Sequence, residues 1–107
     1  MANLKIEEFQ RLDLRVGKVI SAKRVEGTDK LMALEVDIGE RRNLVAGIAD
    51  RYSVEDVVGR LVVVLTNLEP KRIRGIESRG MILAAAVGES AFLLAPDSEV
   101  PVGSRVL

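Results

Sequence analysis

The sequence predicts an all-β protein: a five-stranded Greek-key barrel with one short helix between its third and fourth strands and another at the N-terminus. Three observations carry that prediction. The run LMALEVDI alternates, with Met32, Leu34, Val36 and Ile38 of one parity and Glu35 and Asp37 of the other, as a half-buried strand does. From Leu61 the run LVVVLTNL is β-branched and almost continuously apolar, as a strand covered on both sides is. Finally, the long run LDLRVGKVISAKRV carries Gly17 inside it, and a glycine within a strand marks a bulge or sharp bend. A strongly bent first strand is how a small sheet curls shut.

The elements follow in order. Ile6 to Leu12 reads as a short amphipathic helix in which Ile6 and Phe9 share a face. Leu12 to Val25 is the first strand, with Leu14, Val16, Ile20 and Ala22 on one parity. The segment EGTDK is a turn by composition, LMALEVDI the second strand, and Gly39 to Arg42 closes a hairpin into NLVAG, the third. In SVEDVV, Ser53 is the N-cap of a helix with acids in its first turn. After LVVVLTNL comes a basic loop, and then GMILAAAV as another strand covered on both sides. The tail AFLLAPDSEVPVGSRVL offers one or two short strands separated by Pro96 and Pro101. The helix after the third strand falls where an OB-fold plugs its barrel, so one OB-fold domain over residues 1–107 is the expected architecture.

Composition narrows the function. The chain has no cysteine and no histidine, which removes thiolate and imidazole chemistry, the usual zinc ligands and the usual general base. The carboxylates Asp13, Asp29, Asp37 and Asp56 are scattered and flank no motif. No enzyme activity, no cofactor and no metal are expected; a binding module is. The start, MANLKIEEFQ, places acids where a signal peptide has its apolar run, and no stretch reaches membrane-spanning length, so a cytoplasmic location is expected.

The charge is distributed unevenly. Lys+Arg and Asp+Glu balance at 16 each, yet Pro70 to Arg79 holds Lys71, Arg72, Arg74 and Arg79 against Glu77 alone. Charged runs are usually solvated surface, and an Arg stem at a barrel rim can simply cover an apolar edge. Three features favour an anion site. The cations are mostly Arg, whose planar fork suits phosphate. Pro70, Gly75 and Gly80 define the backbone path. Asn67 and Ser78 supply neutral hydrogen-bonding groups at each end for sugar or base. Lys18, Lys23, Arg24 and Lys30 extend the patch if the barrel brings them alongside. The aromatic residues, Phe9, Tyr52 and Phe92, read as packing residues, with Tyr52 the one able to reach solvent. Such weak stacking capacity argues for a folded RNA gripped by phosphate, 2′-hydroxyl and shape, rather than for a single strand.

The stretches LDLRVGKVISAKRV, DKLMALEVDIG, AGIADRYSVEDVVGRLVVVLTNLEP and KRIRGIESRGMILAA resemble the tRNA-binding domain of the methionyl-tRNA synthetase C-terminal type, and the free-standing structure-specific tRNA-binding proteins. The most specific element is Asn67-Leu68-x-Pro70-Lys71 followed by Gly75, Ser78, Gly80 and Met81. The resemblance implies an OB-fold, homodimerisation in free-standing members, and sequence-tolerant binding to the outer corner of tRNA. It carries Asn67, Lys71, Arg72, Arg74, Ser78, Gly80 and Met81 over as binding-loop positions, beside Arg79. The three basic residues are assigned to phosphates, and Asn67 and Ser78 to sugar or base. Gly80 permits close approach, while Met81 is expected to pack beneath the loop. Asn67 stays open between RNA contact and ordering the loop backbone.

The expected partners are tRNA, a second copy of the chain and an aminoacyl-tRNA synthetase whose tRNA-binding beta subunit this chain would be. Ile6, Phe9, Val100, Val102, Val106 and Leu107 are candidate dimer residues, with barrel plugging and edge covering as the alternative. Two other functions fit the same barrel: a peptide-binding export chaperone, and a protein-docking module for synthetase complexes. Ser78-Arg79-Gly80-Met81 favours tRNA over the chaperone.

Overall fold

A computed structural model describes residues 2–107. In chain order the elements are α1 (Ile6–Phe9), β1 (Leu14–Arg24), β2 (Met32–Asp37), β3 (Arg41–Ala46), α2 (Val54–Val57), β4 (Leu61–Leu65), β5 (Lys71–Ile73), β6 (Ile76–Ser78), β7 (Met81–Ile82), β8 (Ala84–Val87) and β9 (Ser90–Leu93). Five strands form one antiparallel sheet in the order β3-β2-β1-β4-β7, while β5–β6 and β8–β9 are separate hairpins. The sheet nearly closes on itself. The Arg79 N–H donates to the Asn43 carbonyl at 2.9 Å, and the Val45 N–H donates to Ser78 Oγ at 3.0 Å. The outer edge of β3 thereby finds partners in the segment leading into β7, so its ladder groups are not left bare. This is the OB-like barrel the sequence predicts, with α2 between β3 and β4.

The apolar patterns sort into two clusters. Met32, Leu34 and Val36 of β2 are buried, as their alternation requires. In β4, Val62 and Val64 enter the barrel core with Val19, Met32, Val36, Leu44 and Val57. Its other face, Val63 and Leu65, packs with Leu14 in an outer cluster covered by Phe9, Leu83 and Val106. Burial on both faces is why the run is continuously apolar. At α2, Ser53 Oγ accepts the Asp56 N–H and the Asp56 carboxylate accepts the Ser53 N–H, both at 3.2 Å. This reciprocal cap seats Val57 in the core. The tail runs along β1: Val16 N–H donates to Ser104 O at 2.8 Å and Val106 N–H to Leu14 O at 2.9 Å. None of the described helices is long and apolar enough to cross a membrane.

Two expectations are corrected. The bend in β1 is not at Gly17: its register with β2 slips between Val19 and Ser21, so Ile20 is the extra residue. Parity reverses there, and the single face expected of Leu14, Val16, Ile20 and Ala22 is divided. Leu14 joins the outer cluster, whereas Val19 and Ala22 face the barrel core. Gly17 serves a close approach instead, because a Cβ there would stand 2.6 Å from Val36 Cγ1 and 3.0 Å from Ile38 Cγ2. Gly17→Ala is therefore expected to destabilise the fold by ~1–3 kcal/mol through overpacking. A lower urea midpoint at constant slope would register this, and a wild-type midpoint would refute it.

The second correction concerns GMILAAAV, which is not one doubly covered strand. β7 lies on β4, and the Leu83 N–H still donates to Val63 O at 2.9 Å. The chain then leaves the sheet as the β8–β9 hairpin, with Ala85, Ala86 and Val87 exposed. An alanine run is apolar by composition but offers little area whose burial would hold it down.

Candidate nucleic-acid interface

The basic stretch is a β-hairpin rather than a loop. Lys71 pairs with Ser78, Arg72 with Glu77, and Ile73 with Ile76. Its turn is Arg74-Gly75, with φ of 54° and 80°. Positive φ at both central residues is the turn whose twist matches a two-residue hairpin, and glycine at the second position relieves half the strain. By register, Lys71, Ile73, Ile76 and Ser78 share the face toward the barrel, with Lys71 exposed at its edge, leaving Arg72 and Glu77 on the outer face and Arg74 at the tip.

Lys71, Arg72, Arg74 and Arg79 are all exposed, and none is ion-paired. The ion pairs among the described residues are Arg15–Asp13, Arg41–Glu35 and Arg42–Glu40. Arg72 Nη1 donates to the Gly75 carbonyl at 2.6 Å instead of meeting Glu77 across the hairpin. That bond stiffens the turn and leaves the guanidinium's other N–H groups directed at solvent. Arg74 leans over the β1–β2 turn: a Cβ built on Gly27 would lie 3.9 Å from its Nη1.

Several residues expected to touch RNA instead hold the hairpin. Ser78 is buried, its Oγ accepting from the Val45 N–H and donating to Gly80 O at 3.4 Å. Gly80 is buried too, at φ 131°, where a Cβ would meet the Leu65 carbonyl at 3.0 Å and Leu44 Cδ2 at 3.1 Å. Its freedom admits the close approach of the barrel's own backbone. Asn67 also orders backbone: its Oδ1 accepts the Asp13 N–H at 2.9 Å and its Nδ2 donates to Arg11 O at 2.7 Å. Met81 departs in the opposite direction, for it is 46% exposed and not packed beneath the hairpin.

The outlying cations separate. Lys23, Arg24 and Arg74 line one cleft together, so two of the four expected additions do join the patch. Arg24 also donates from Nη2 to the Ala49 carbonyl at 2.8 Å. Lys30 turns away, its Nζ donating to Glu89 O at 2.9 Å in the β8–β9 turn. Lys18 sits level with Asp37 and Leu61, outside that cleft. The aromatic residues pack. Tyr52 is only 8% exposed, as its reading as a packing residue requires, and its hydroxyl accepts the Leu93 N–H at 3.1 Å. The Arg51 guanidinium lies 3.8 Å above the Phe92 ring, which fastens the β8–β9 hairpin to the barrel.

The root of the basic hairpin is tied to the start of β1. Thr66 is buried and its hydroxyl donates to the Asp13 carboxylate at 2.7 Å, while Arg15 Nε meets the other carboxylate oxygen at 2.7 Å. The Thr66 hydroxyl, and after it Arg15, hold the Asp13 carboxyl below its ordinary value against the opposing effect of burial. A carboxyl depressed in the native state stabilises fully above its unfolded value, ~3.9, and that contribution is lost as pH falls through the lower native value. Thermal stability should fall across this acid window, and Asp13→Asn should make the fall shallower. An acid limb unchanged in the variant would exclude Asp13 as a contributor.

The family model described as "Putative tRNA binding domain" matches residues 14–105. The chain belongs to this family. It is 57% identical over 103 residues to the methionine–tRNA ligase of Methanothrix thermoacetophila, and the match spans 96% of this chain but 15% of that ligase. Among solved structures it is similar to a MetRS-related protein from Pyrococcus horikoshii, with TM-score 0.93 and 38% identity over 100% of both chains. It is also similar to the chaperone CsaA from Bacillus anthracis, with TM-score 0.91 and 32% identity over 99% of this chain and 100% of that one.

Within this tRNA-binding-domain fold, one residue that no sequence signal singled out organises the hairpin's neck. Arg42 Nη1 donates to the carbonyl of Thr66, where the segment leaves β4, and at 3.4 Å to that of Arg79, where it returns. Its Nε is held by Glu40 at 2.9 Å. Arg42 pairs with Val36 in the β2–β3 ladder, and nothing local in RRNLVA distinguishes it from Arg41.

Proposed function

We propose that the chain is a non-catalytic, single-domain module that binds folded tRNA through the β5–β6 hairpin. It acts in the cytoplasm, alone or as the tRNA-binding beta subunit of a methionyl-tRNA synthetase. The carrying observation is a turn-stiffened hairpin whose four cations are exposed and, among the described residues, free of carboxylate partners. Lys71, Arg72, Arg74 and Arg79 meet phosphates, with Lys23 and Arg24 extending the track across the barrel rim. Met81, exposed beside the hairpin exit, adds an apolar contact. Ser78, Gly80 and Asn67 act by holding the hairpin in place, and Lys18 and Lys30 lie outside the track.

The functional unit in this reading is a homodimer. Leu4, Phe9, Leu12 and Leu68 line one groove beside α1, and Ile6 and Leu107 are exposed at 62% and 92%. An apolar surface of that kind suits a second copy. Val106, with Phe9, also covers the outer core cluster, and Val100 and Val102 are half-buried, so the seam is centred on α1.

The test is competition. A bulk tRNA probe should be displaced by unlabelled tRNA but not by unstructured single-stranded RNA of equal length, and affinity should fall as salt rises. Equal competition by single strands would end the proposal. The likeness to CsaA favours one alternative, a peptide-binding chaperone, which predicts salt-insensitive binding to unfolded peptide and none to tRNA.

A further inference from the structure

The basic hairpin hangs from the barrel by two stretches of backbone, and one side chain holds both. The chain leaves β4 at Thr66 and returns toward the sheet at Arg79, just before β7. Thr66 is fixed to the start of β1: its N–H donates to the Asp13 carbonyl at 2.9 Å and its hydroxyl to the Asp13 carboxylate at 2.7 Å. Arg42 Nη1 then spans from the Thr66 carbonyl to the Arg79 carbonyl, and Glu40 steers its Nε. Among the described residues no other side chain bonds to both of these carbonyls. The β2–β3 register explains why an arginine head reaches this point. Arg42 lies opposite Val36, in the row of Leu44 and Ala46 that faces the core, so its stem enters at the mouth of the barrel and its head must find fixed polar partners. Its side chain is 17% exposed, against 64% for that of Arg41, which pairs with Glu35 instead.

We infer that Arg42 is a positioning residue for tRNA binding: it touches no RNA and sets the angle at which the β5–β6 hairpin presents Arg72, Arg74 and Arg79. The inference deepens the tRNA-binding proposal and rests on it. A hairpin with three residues in each strand does not hold a direction by its own ladder, and its apolar anchors, Ile73 and Ile76, are only half-buried. Its direction is therefore set at the neck. At ~3.3 Å per residue the tip at Arg74 stands about 15 Å from Arg79, so a swing of about 10° at the neck carries the tip about 3 Å. A charge-assisted hydrogen bond to phosphate is about 2.8 Å long and does not survive such a shift. Arg79 is coupled most directly, because the carbonyl that Arg42 holds is its own. With a carboxylate on Nε and carbonyls on Nη1, the Arg42 head already has its charge answered inside the protein, unlike the exposed cations of the hairpin.

Arg42→Met, which keeps the stem and removes the head, tests this in the full chain. Backbone N–H residual dipolar couplings should change in β5 and β6 and stay at wild-type values in β1, β2 and β4. Affinity for bulk tRNA should fall roughly tenfold, equivalent to about one charge-assisted hydrogen bond. A lower Tm with wild-type tRNA affinity would reduce Arg42 to a stability role and overturn the inference, as would unchanged couplings in the hairpin. The second arm is non-additivity. In a background with Lys71, Arg72, Arg74 and Arg79 all replaced by alanine, measured at low salt, Arg42→Met should cost less than about twofold more, because nothing is left for it to position. A further tenfold loss there would place Arg42 on the RNA itself and overturn the positioning role. Where Arg42→Met does not fold, Arg42→Lys, which keeps the charge but not the planar fork, is measured against the same criteria. Failure of the hairpin reading shows separately, as wild-type tRNA affinity in the four-alanine background itself.

Discussion

Lys71→Ala, Arg72→Ala and Arg74→Ala combined are expected to leave the barrel folded and reduce tRNA affinity by on the order of a thousandfold, at about 1.5 kcal/mol for the one charged hydrogen bond lost per side chain. None of the three is ion-paired among the described residues, and all are exposed. Among the described residues, Arg72 alone of the three bonds to protein through its side chain, and its partner is a carbonyl of its own turn. Removing them therefore takes little from the folded state. The dependence of log K on log[salt] should become shallower by up to about three phosphates' worth, since each lost contact releases one fewer set of counterions. Two readouts keep the outcome interpretable. A melting temperature within a few degrees of wild type establishes that the barrel survives. A gel shift at moderate salt then reports the interface, and wild-type affinity there would remove these cations from any RNA contact.

Gly80→Ala carries the second large effect, on stability. Its φ of 131° disfavours any side chain, and the added Cβ would meet the Leu65 carbonyl at 3.0 Å, a backbone atom that cannot rotate aside. Leu44 Cδ2 at 3.1 Å and Val64 Cγ1 at 3.3 Å close the remaining directions. A cost of ~2 kcal/mol follows, which for a domain of this size lowers Tm by about 10 °C. The site also joins β7 to β4, so relief of the clash would shift the hairpin's exit and weaken tRNA binding secondarily. Were Gly80 present only to let RNA approach, the variant would keep its Tm and lose affinity. An unchanged Tm would thus reverse the structural reading.

What the sequence determined by itself is the part governed by local chemistry. Period-two alternation placed β2, and unbroken β-branched residues placed β4, because each pattern follows from how many faces a strand buries. Ser53 and Asp56 announced α2 because a cap is completed within one turn. The basic cluster was legible too, since charge density needs no fold to be seen. The tertiary structure alone decided how these parts meet. Ile20 rather than Gly17 bends β1, because register is settled by the partner strands and not by the strand's own residues. Ser78, Gly80 and Asn67 look like ligand groups in a linear motif. Closing the barrel gives Ser78 Oγ the edge N–H of Val45, packs Gly80 against the Leu65 carbonyl, and sets Asn67 beside the Asp13 N–H, because a sheet-edge N–H must be satisfied by whatever lies alongside. Arg42, distant in sequence from the hairpin, clamps its neck by the same rule applied to carbonyls. Folding also joins Lys23 and Arg24 to Arg74 while drawing Lys30 away, a sorting of like charges that depends only on where strands cross.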